Sequence, residues 1–226
     1  MTVAFFGCGK VVNPIIENRV IATLNSHIKA DKWSCKVLGD PNFNRSSVPD
    51  VTINGENIYY DNVIVKKVDL HFKNVSINLS DRTIKSCDEA TADITISEDN
   101  LSKLIENYSS VNNPQVITNN DKITLKGGVS LLGQNVNLEV TGSVYVKKGK
   151  ELYLEPDSFK VMKLGVTVPN IAKNVVNNII NPVYKIKDNP YDLYIDSLTY
   201  KDGYIYATAH FDSVKIMQAF KESLKK

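Results

Sequence analysis

The sequence has few of the residues that enzymes commonly use for catalysis or metal binding. It has three histidines, His27, His71 and His210, and none has a partner at a useful spacing. Cys35 and Cys87 stand far apart, and no CxxC or HxxxH spacing occurs, which argues against a zinc site. We therefore expect no metal, no cofactor and no catalytic residue, and the sequence predicts a protein that is not an enzyme.

Net charge and long apolar runs are also lacking. The 27 Lys and Arg residues against 25 Asp and Glu residues give a net charge of +2, so the composition does not predict nucleic-acid binding. No stretch approaches the roughly 20 apolar residues of a membrane-spanning helix. With 226 residues, 42% of them hydrophobic and 23% charged, the chain is in the ordinary globular range and long enough for a substantial core.

The segment FFGCGK at Phe5–Lys10 contains the third cysteine, Cys8, and lacks the GxxxxGK[ST] spacing of a phosphate-binding loop. Val3–Gly7 is similar to the end of a bacterial lipoprotein signal, in which the cysteine after a small residue is lipidated. Because a signal needs about 7–15 apolar residues, either the true start lies upstream of Met1 or the cysteine is incidental. We predict that Cys8 is lipidated, that residues 1–12 are the end of a truncated signal or anchor, and that residues 13–226 form one domain.

The other two cysteines, Cys35 and Cys87, leave two alternatives open. They are an even pair, which could form a disulfide in an oxidising envelope. They could equally be two buried free thiols. The spacing does not decide between these alternatives.

Three amphipathic helices are predicted from apolar residues that recur about every four positions. The first runs from Ile15 to about Ala30, after Asn13–Pro14. The second starts at Pro169, and the last follows Asp212–Ser213. The apolar positions are, in the same order, Ile16, Val20, Leu24 and Ile28; Ile171, Val175, Ile179 and Val183; and Met217, Phe220 and Leu224.

A shorter helix is predicted from Ser97 to about Tyr108. Ser97 supplies an N-cap, and Glu98 and Asp99 supply acids for the first turn. The Asn-rich stretch that follows, Ser109–Asn120, is predicted to be a loop.

From Trp33 to about Phe159 the apolar residues alternate with polar ones. Leu70 and Phe72, for example, flank His71. Such alternation indicates antiparallel strands with one buried face. It is clearest in Asn135–Lys147, where Gly142 would allow a bend or bulge and one face carries Val136, Leu138, Val140, Val144 and Val146.

Turns are predicted at four dipeptides that favour a left-handed backbone, namely Asn54–Gly55, Gly127–Gly128, Lys148–Gly149 and Asp202–Gly203. The last lies in TYKDGYIY, between two tyrosine-rich alternating runs, and predicts a tight hairpin. No βαβ alternation occurs, so we expect no parallel sheet. The pattern predicts an α+β fold with helices on the concave apolar face of one long, curved antiparallel sheet.

Two interpretations of this apolar surface remain open. The helices and the sheet could close into an ordinary core, or they could leave a groove for an acyl chain. Periodicity alone does not separate these interpretations.

The last third of the chain resembles a known family. Leu154–Tyr184 and Asn189–Ala209 are similar to the closing half of the bacterial LmeA-like phospholipid-binding family, with Gly165 four residues before Pro169 and Asp202–Gly203 in a hairpin. The resemblance implies an exported or membrane-anchored cell-envelope protein. It also implies that this protein binds phospholipid in an elongated half-barrel similar to the tubular lipid-binding folds.

The alternation and the resemblance together predict a non-enzymatic, monomeric envelope protein that binds phospholipid acyl chains in an apolar groove. Its role would be lipid transport or envelope maintenance at the membrane surface, and the alternative is a structural or interaction protein with a packed core. Head-group contacts are expected from lysines at the open end, such as Lys185 and Lys187 or those of the last helix. The predicted lipid-binding residues are the apolar positions expected on the concave side: Ile16, Val20, Leu24, Leu70, Phe72, Val136, Leu138, Val140, Val144, Ile171, Val175, Ile179, Met217 and Phe220.

Overall fold

The strands form two antiparallel sheets, whereas the sequence predicted one long sheet. The computed structural model describes residues 8–39, 47–60, 62–78, 83–119, 121–131, 134–162, 166–167, 174–186, 192–212 and 215. The predicted α+β class with antiparallel strands is confirmed. The single sheet is wrong because the helix after the fifth strand carries the chain from the first sheet to the second.

The first sheet combines the N-terminal strands with the C-terminal hairpin. Its order is β1-β2-β3-β5-β13-β12, and β4 pairs with β3. The strands are β1 Ala30–Leu38, β2 Ser47–Tyr60, β3 Val63–Asn78, β4 Thr83–Ser86, β5 Glu89–Ser97, β12 Leu193–Lys201 and β13 Tyr204–Phe211.

The second sheet contains the middle of the chain and curls into a half-barrel. Its order is β10-β9-β8-β7-β6, and β11 pairs with β9. The strands are β6 Asn112–Asn119, β7 Lys122–Leu131, β8 Gln134–Lys147, β9 Glu151–Val161, β10 Val166–Thr167 and β11 Tyr184–Lys185. The helices are α1 Cys8–His27, α2 Glu98–Tyr108 and a π-helix, Val176–Ile180.

Two hydrophobic cores hold these elements together. The larger core joins the two sheets and α2, and Ile105, Leu125, Val140 and Phe159 are among its fully buried members. The smaller core lies under α1, against one end of the first sheet, and includes Phe72. Burial of each such large side chain contributes roughly 1.5–3 kcal/mol.

Side chains of the two helices bind the N–H groups of edge strands. The carboxylate of Glu17 in α1 accepts a hydrogen bond from the Val37 N–H at 2.8 Å. In α2, the Ser102 hydroxyl accepts from the Val116 N–H at 2.9 Å, and Glu98 accepts from both the N–H and the hydroxyl of Thr118. β1 and β6 are the outer strands of their sheets. These hydrogen bonds therefore satisfy backbone N–H groups that could otherwise pair with a strand of another chain.

The prediction that the first helix begins at Ile15, after Pro14, is wrong. α1 begins at Cys8 and contains Pro14, although proline removes one hydrogen bond from a helix interior. The neighbouring Asn13 donates from its side chain to the carbonyls of Val37 at 3.3 Å and Gly39 at 3.0 Å. These bonds anchor the proline-containing turn to the end of β1.

Two of the four predicted turns are confirmed and two are wrong. Lys148–Gly149 joins β8 to β9, and Asp202–Gly203 joins β12 to β13, in each case with positive φ angles. Asn54–Gly55 instead lies inside β2, and Gly127–Gly128 inside β7. A Cβ at Gly55 would come within 2.4 Å of the Trp33 ring. This glycine therefore provides space for the aromatic side chain on the neighbouring strand β1.

The short helix is confirmed as α2, with the Ser97 hydroxyl accepting from the Asn100 N–H at 3.3 Å. The predicted loop Ser109–Asn120 is wrong, because most of it is β6, which pairs with β7 and buries Val116. The predicted strand Asn135–Lys147 is confirmed as β8.

The remaining predicted helices are only partly within the described residues. The helix predicted from Pro169 is described from residue 174 and ends as the π-helix at Ile180, so Val183 lies beyond its end. Met217, Phe220 and most of the last predicted helix lie outside the described residues. None of the helices that the structure describes is long and apolar enough to cross a membrane.

Candidate functional site

A cavity of about 350 Å³ lies between the two sheets and α2. Both sheets contribute residues to it, so the cavity exists only because the two sheets face each other. The lining residues are Tyr60, Val63, Val65, Ile94, Ile96, Leu101, Leu104, Ile105, Tyr108, Ile123, Val144, Leu152, Val183, Tyr184, Ile186, Leu193, Ile195, Leu198, Tyr200, Ile205, Ala207 and Phe211.

The C-terminal hairpin forms one long wall of the cavity. On β13, Ile205, Ala207 and Phe211 line it, because alternate residues of a strand share one face. The six-residue rise from Ile205 to Phe211 corresponds to about 20 Å. Ala207 has the smallest side chain of these three lining residues, so it leaves the most space in front of the strand.

Helix α2 forms a second wall, with Leu101, Leu104, Ile105 and Tyr108 toward the cavity. Its position is fixed at the N-terminal end, where Asn100 Oδ1 accepts a hydrogen bond from the N–H of Ile64 in β3 at 3.0 Å. Since Ile105 is buried in the larger core, the helix presents a continuous apolar stripe to both core and cavity.

The lining residues that the structure describes include no charged side chain, and tyrosine hydroxyls are their only polar side-chain groups. The Tyr200 hydroxyl donates to the carbonyl of Val144 at 3.1 Å, and burial raises the pKa of this phenol, which keeps it protonated as a donor. Tyr108 and Tyr184 pack edge to face with ring centroids 5.6 Å apart. Tyr60 is 54% exposed, so the lining reaches the protein surface at this residue.

A buried carboxylate joins the two sheets next to Leu193. Asp192 accepts hydrogen bonds from Lys150 in the turn between β8 and β9, from Lys215 at 2.6 Å and from the Tyr194 hydroxyl at 2.8 Å. The bonds from Lys150, then Lys215 and Tyr194, hold the pKa of Asp192 well below its ordinary value. Asp192 is therefore ionised throughout the physiological range and acts as a structural link rather than as an acid.

The family comparison agrees with this geometry. The model of the family described as LmeA-like phospholipid-binding matches residues 14–210, a range that includes strands of both sheets and every lining residue except Phe211. The chain belongs to the LmeA-like phospholipid-binding family. Binding of lipid is therefore its class of function. No curated protein and no solved structure matches the chain.

The residues predicted to bind lipid are spread over three places in this LmeA-like protein. Of these, Val144 lines the cavity. Val136, Leu138, Val140, Val175 and Ile179 lie in or against the larger core, and Ile16, Val20, Leu24, Leu70 and Phe72 lie in or against the smaller core. Ile171, Met217 and Phe220 lie outside the residues whose side chains the structure describes.

Most of the cavity wall of this LmeA-like protein was missed from the sequence. The hairpin at Asp202–Gly203 was predicted, but its apolar face was not assigned to the site. On β12 a bulge between Ile195 and Ser197 interrupts the alternation. The cavity-lining residues therefore have odd numbers before the bulge and even numbers after it. A sequence analysis that allowed one extra residue at this point would have placed Leu193 and Leu198 on the same face of the strand.

Neither Cys35 nor Cys87 lines the cavity, and the three histidines do not line it either. Cys35 and Cys87 are both free thiols in or against the smaller core; burial, with Glu17 nearby, raises the pKa of Cys35 to about 11, and burial raises that of Cys87. Cys8 is the first residue of α1. Within the described residues no group of three His, Cys, Asp or Glu side chains could hold a metal ion.

His210 does meet an acid, but outside the cavity. Its Nδ1 lies 2.7 Å from the Asp196 carboxylate, and its ring stacks on Tyr194. Both side chains of the pair are about half exposed. The neighbouring Phe211 lines the cavity, so alternation along β13 directs His210 to the opposite face of the sheet.

Proposed function

We propose that this protein is a non-enzymatic phospholipid carrier that encloses acyl chains in the cavity between its two sheets. The observation that carries the proposal is the cavity itself: its volume of about 350 Å³ and its uncharged lining are typical of a small-molecule site. An acyl chain that buries ten methylenes gains roughly 8 kcal/mol before the costs of association.

The polar groups of the cavity suit a lipid better than a reaction. General acid–base catalysis needs a titratable group within hydrogen-bond reach of the substrate, and tyrosine hydroxyls are the only polar side-chain groups of the described lining. The pair of His210 and Asp196 faces away from it. We therefore propose binding without chemistry, with Tyr60 beside the glycerol backbone at the opening.

Native mass spectrometry of the purified chain, followed by organic extraction, tests the proposal. We expect phospholipid to co-purify at a fixed stoichiometry and to leave on denaturation, because its chains are sheltered from water. An apo mass that does not change after mixing with phosphatidylcholine liposomes would contradict the proposal. That outcome would favour the structural or interaction protein considered above.

We also propose that the protein is exported and anchored in the cell envelope through Cys8, on the strength of the lipoprotein-like residues Val3–Gly7. In bacteria that express the gene from its own promoter and start, an alkyne fatty acid should label the protein. The Cys8→Ala variant should lose the label and move from the membrane to the soluble fraction. Equal labelling of both forms would show that Cys8 is not the modified residue.

A further inference from the structure

The end of the β8–β9 hairpin carries an aromatic and basic surface. We define the Tyr–Lys face as the side chains of Tyr145, Lys147, Lys148, Tyr153 and Lys185. Tyr145 and Tyr153 are paired across the two strands, and their rings stack with centroids 5.6 Å apart. Tyr145 is 46% exposed, and the Tyr153 hydroxyl donates to the Glu151 carboxylate at 3.3 Å, so this pair presents aromatic surface to solvent.

Lysines surround the stacked rings. Lys147 Nζ lies 4.7 Å above the Tyr153 ring, close enough for a cation–π interaction. Lys148 is exposed in the turn, where its φ of 53° directs the chain back into β9. Lys185 of β11 lies on the other side of β9.

The lysines near this turn outnumber the acidic residues beside them, so the turn carries an excess of positive charge. Glu151 lies between Lys147 and Lys185 in the strand pairing, and Lys185 Nζ is 3.4 Å from its carboxylate. The next acid along β9, Glu155, lies beyond the tyrosine pair, away from the turn. Three lysines of the face therefore meet one glutamate at the tip of the hairpin.

The cavity lies directly behind this face. Val144 and Leu152 line the cavity. Val144 precedes Tyr145 on β8, and Leu152 precedes Tyr153 on β9. Because neighbouring residues of a strand point to opposite sides, the two tyrosines lie on the face away from the cavity. Ile186, which follows Lys185, also lines the cavity. One hairpin thus has an acyl-chain site on its inner side and the Tyr–Lys face on its outer side.

We propose that the Tyr–Lys face docks the protein on the surface of a bilayer that contains anionic phospholipid. Each lysine near such a surface strengthens binding about fivefold, and tyrosine rings suit the head-group region because they combine an apolar body with a polar tip. A bilayer fits better than an acidic protein because its head-group region offers both apolar and anionic contacts, and this face carries stacked tyrosine rings beside its lysines. The inference rests on the proposed function only in that the ligand of the cavity comes from a bilayer.

Vesicle flotation tests the docking surface. The wild type should bind equimolar phosphatidylcholine–phosphatidylglycerol vesicles, bind pure phosphatidylcholine vesicles far less, and dissociate as salt is raised. The double variant Lys147→Gln, Lys148→Gln should bind the anionic vesicles roughly 25-fold more weakly. Tyr145→Ser should weaken binding to vesicles of either composition, because it removes an interfacial ring.

The double variant Lys103→Gln, Lys201→Gln is the matched control, since it makes the same charge change at exposed lysines of α2 and β12. Equal loss in both double variants would overturn the inference, because it would reflect net charge alone. A wild-type dimer that Tyr145→Ser dissociates would also overturn it, since a second copy would then cover the face. Lipid content by native mass spectrometry should stay unchanged in every variant, so failure to dock and an empty cavity remain distinguishable.

Discussion

Ala207→Trp should empty the cavity of lipid while the protein stays folded. Ala207 is the smallest lining residue on the β13 wall, and an indole placed there projects into the space that we assign to an acyl chain. If the ring displaces about three methylenes, binding loses roughly 2.4 kcal/mol, which corresponds to about fifty-fold weaker affinity. Native mass spectrometry of the purified variant should therefore give mainly the apo mass, where the wild type carries phospholipid.

The neighbouring residue provides the control for this experiment. Thr208 is exposed on the opposite face of the same strand, so Thr208→Trp adds the same ring outside the cavity and should retain lipid. Circular dichroism and the thermal midpoint of both variants separate a blocked cavity from a disrupted strand. If Ala207→Trp is folded and carries as much lipid as Thr208→Trp, the lipid is bound elsewhere and the assignment of the cavity is wrong.

The parts of the fold that depend on short-range patterns could be predicted from the sequence. β8 was predicted because its alternation extends over Asn135–Lys147, and α2 because Ser97 supplies an N-cap and Glu98 and Asp99 supply acids for the first turn. The hairpin at Asp202–Gly203 followed from a dipeptide that adopts positive φ easily. Each of these features is decided by residues within one turn or one strand.

The features that were mispredicted depend on contacts between distant segments. Gly55 lies in a strand because the Trp33 ring of β1 occupies the place of its side chain, and single-strand periodicity contains no information about that ring. The division into two sheets has the same origin, since β13 pairs with β5 more than a hundred residues away. Apolar alternation predicts which side of a strand is buried, but it does not show whether that side packs in a core or lines a cavity. For this reason most of the predicted site residues lie in the cores.

Gly142→Ala should destabilise the protein by about 3 kcal/mol. A Cβ at Gly142 would lie 2.0 Å from the main-chain oxygen of Glu155 and 2.8 Å from its carbonyl carbon. The β8–β9 register places Thr141 opposite Ser158 and Gly142 opposite Pro156, so Asp157 is an extra residue that bulges from β9. The sequence predicted a bend or bulge at Gly142, and the close approach of the two main chains there explains why only glycine fits.

Urea denaturation should show this effect as a midpoint about 1 M lower than that of the wild type. Gly128→Ala is the matched control, because the nearest atom to a Cβ there is the side-chain Oδ1 of Asn137 at 3.3 Å, which can move aside. That variant should change stability by less than about 1 kcal/mol in either direction. Equal stability of the two variants would mean that β8 and β9 separate at the bulge more easily than the structure implies. A destabilisation confined to Gly142→Ala would show that the close approach of β8 and β9 at this bulge is needed for stability.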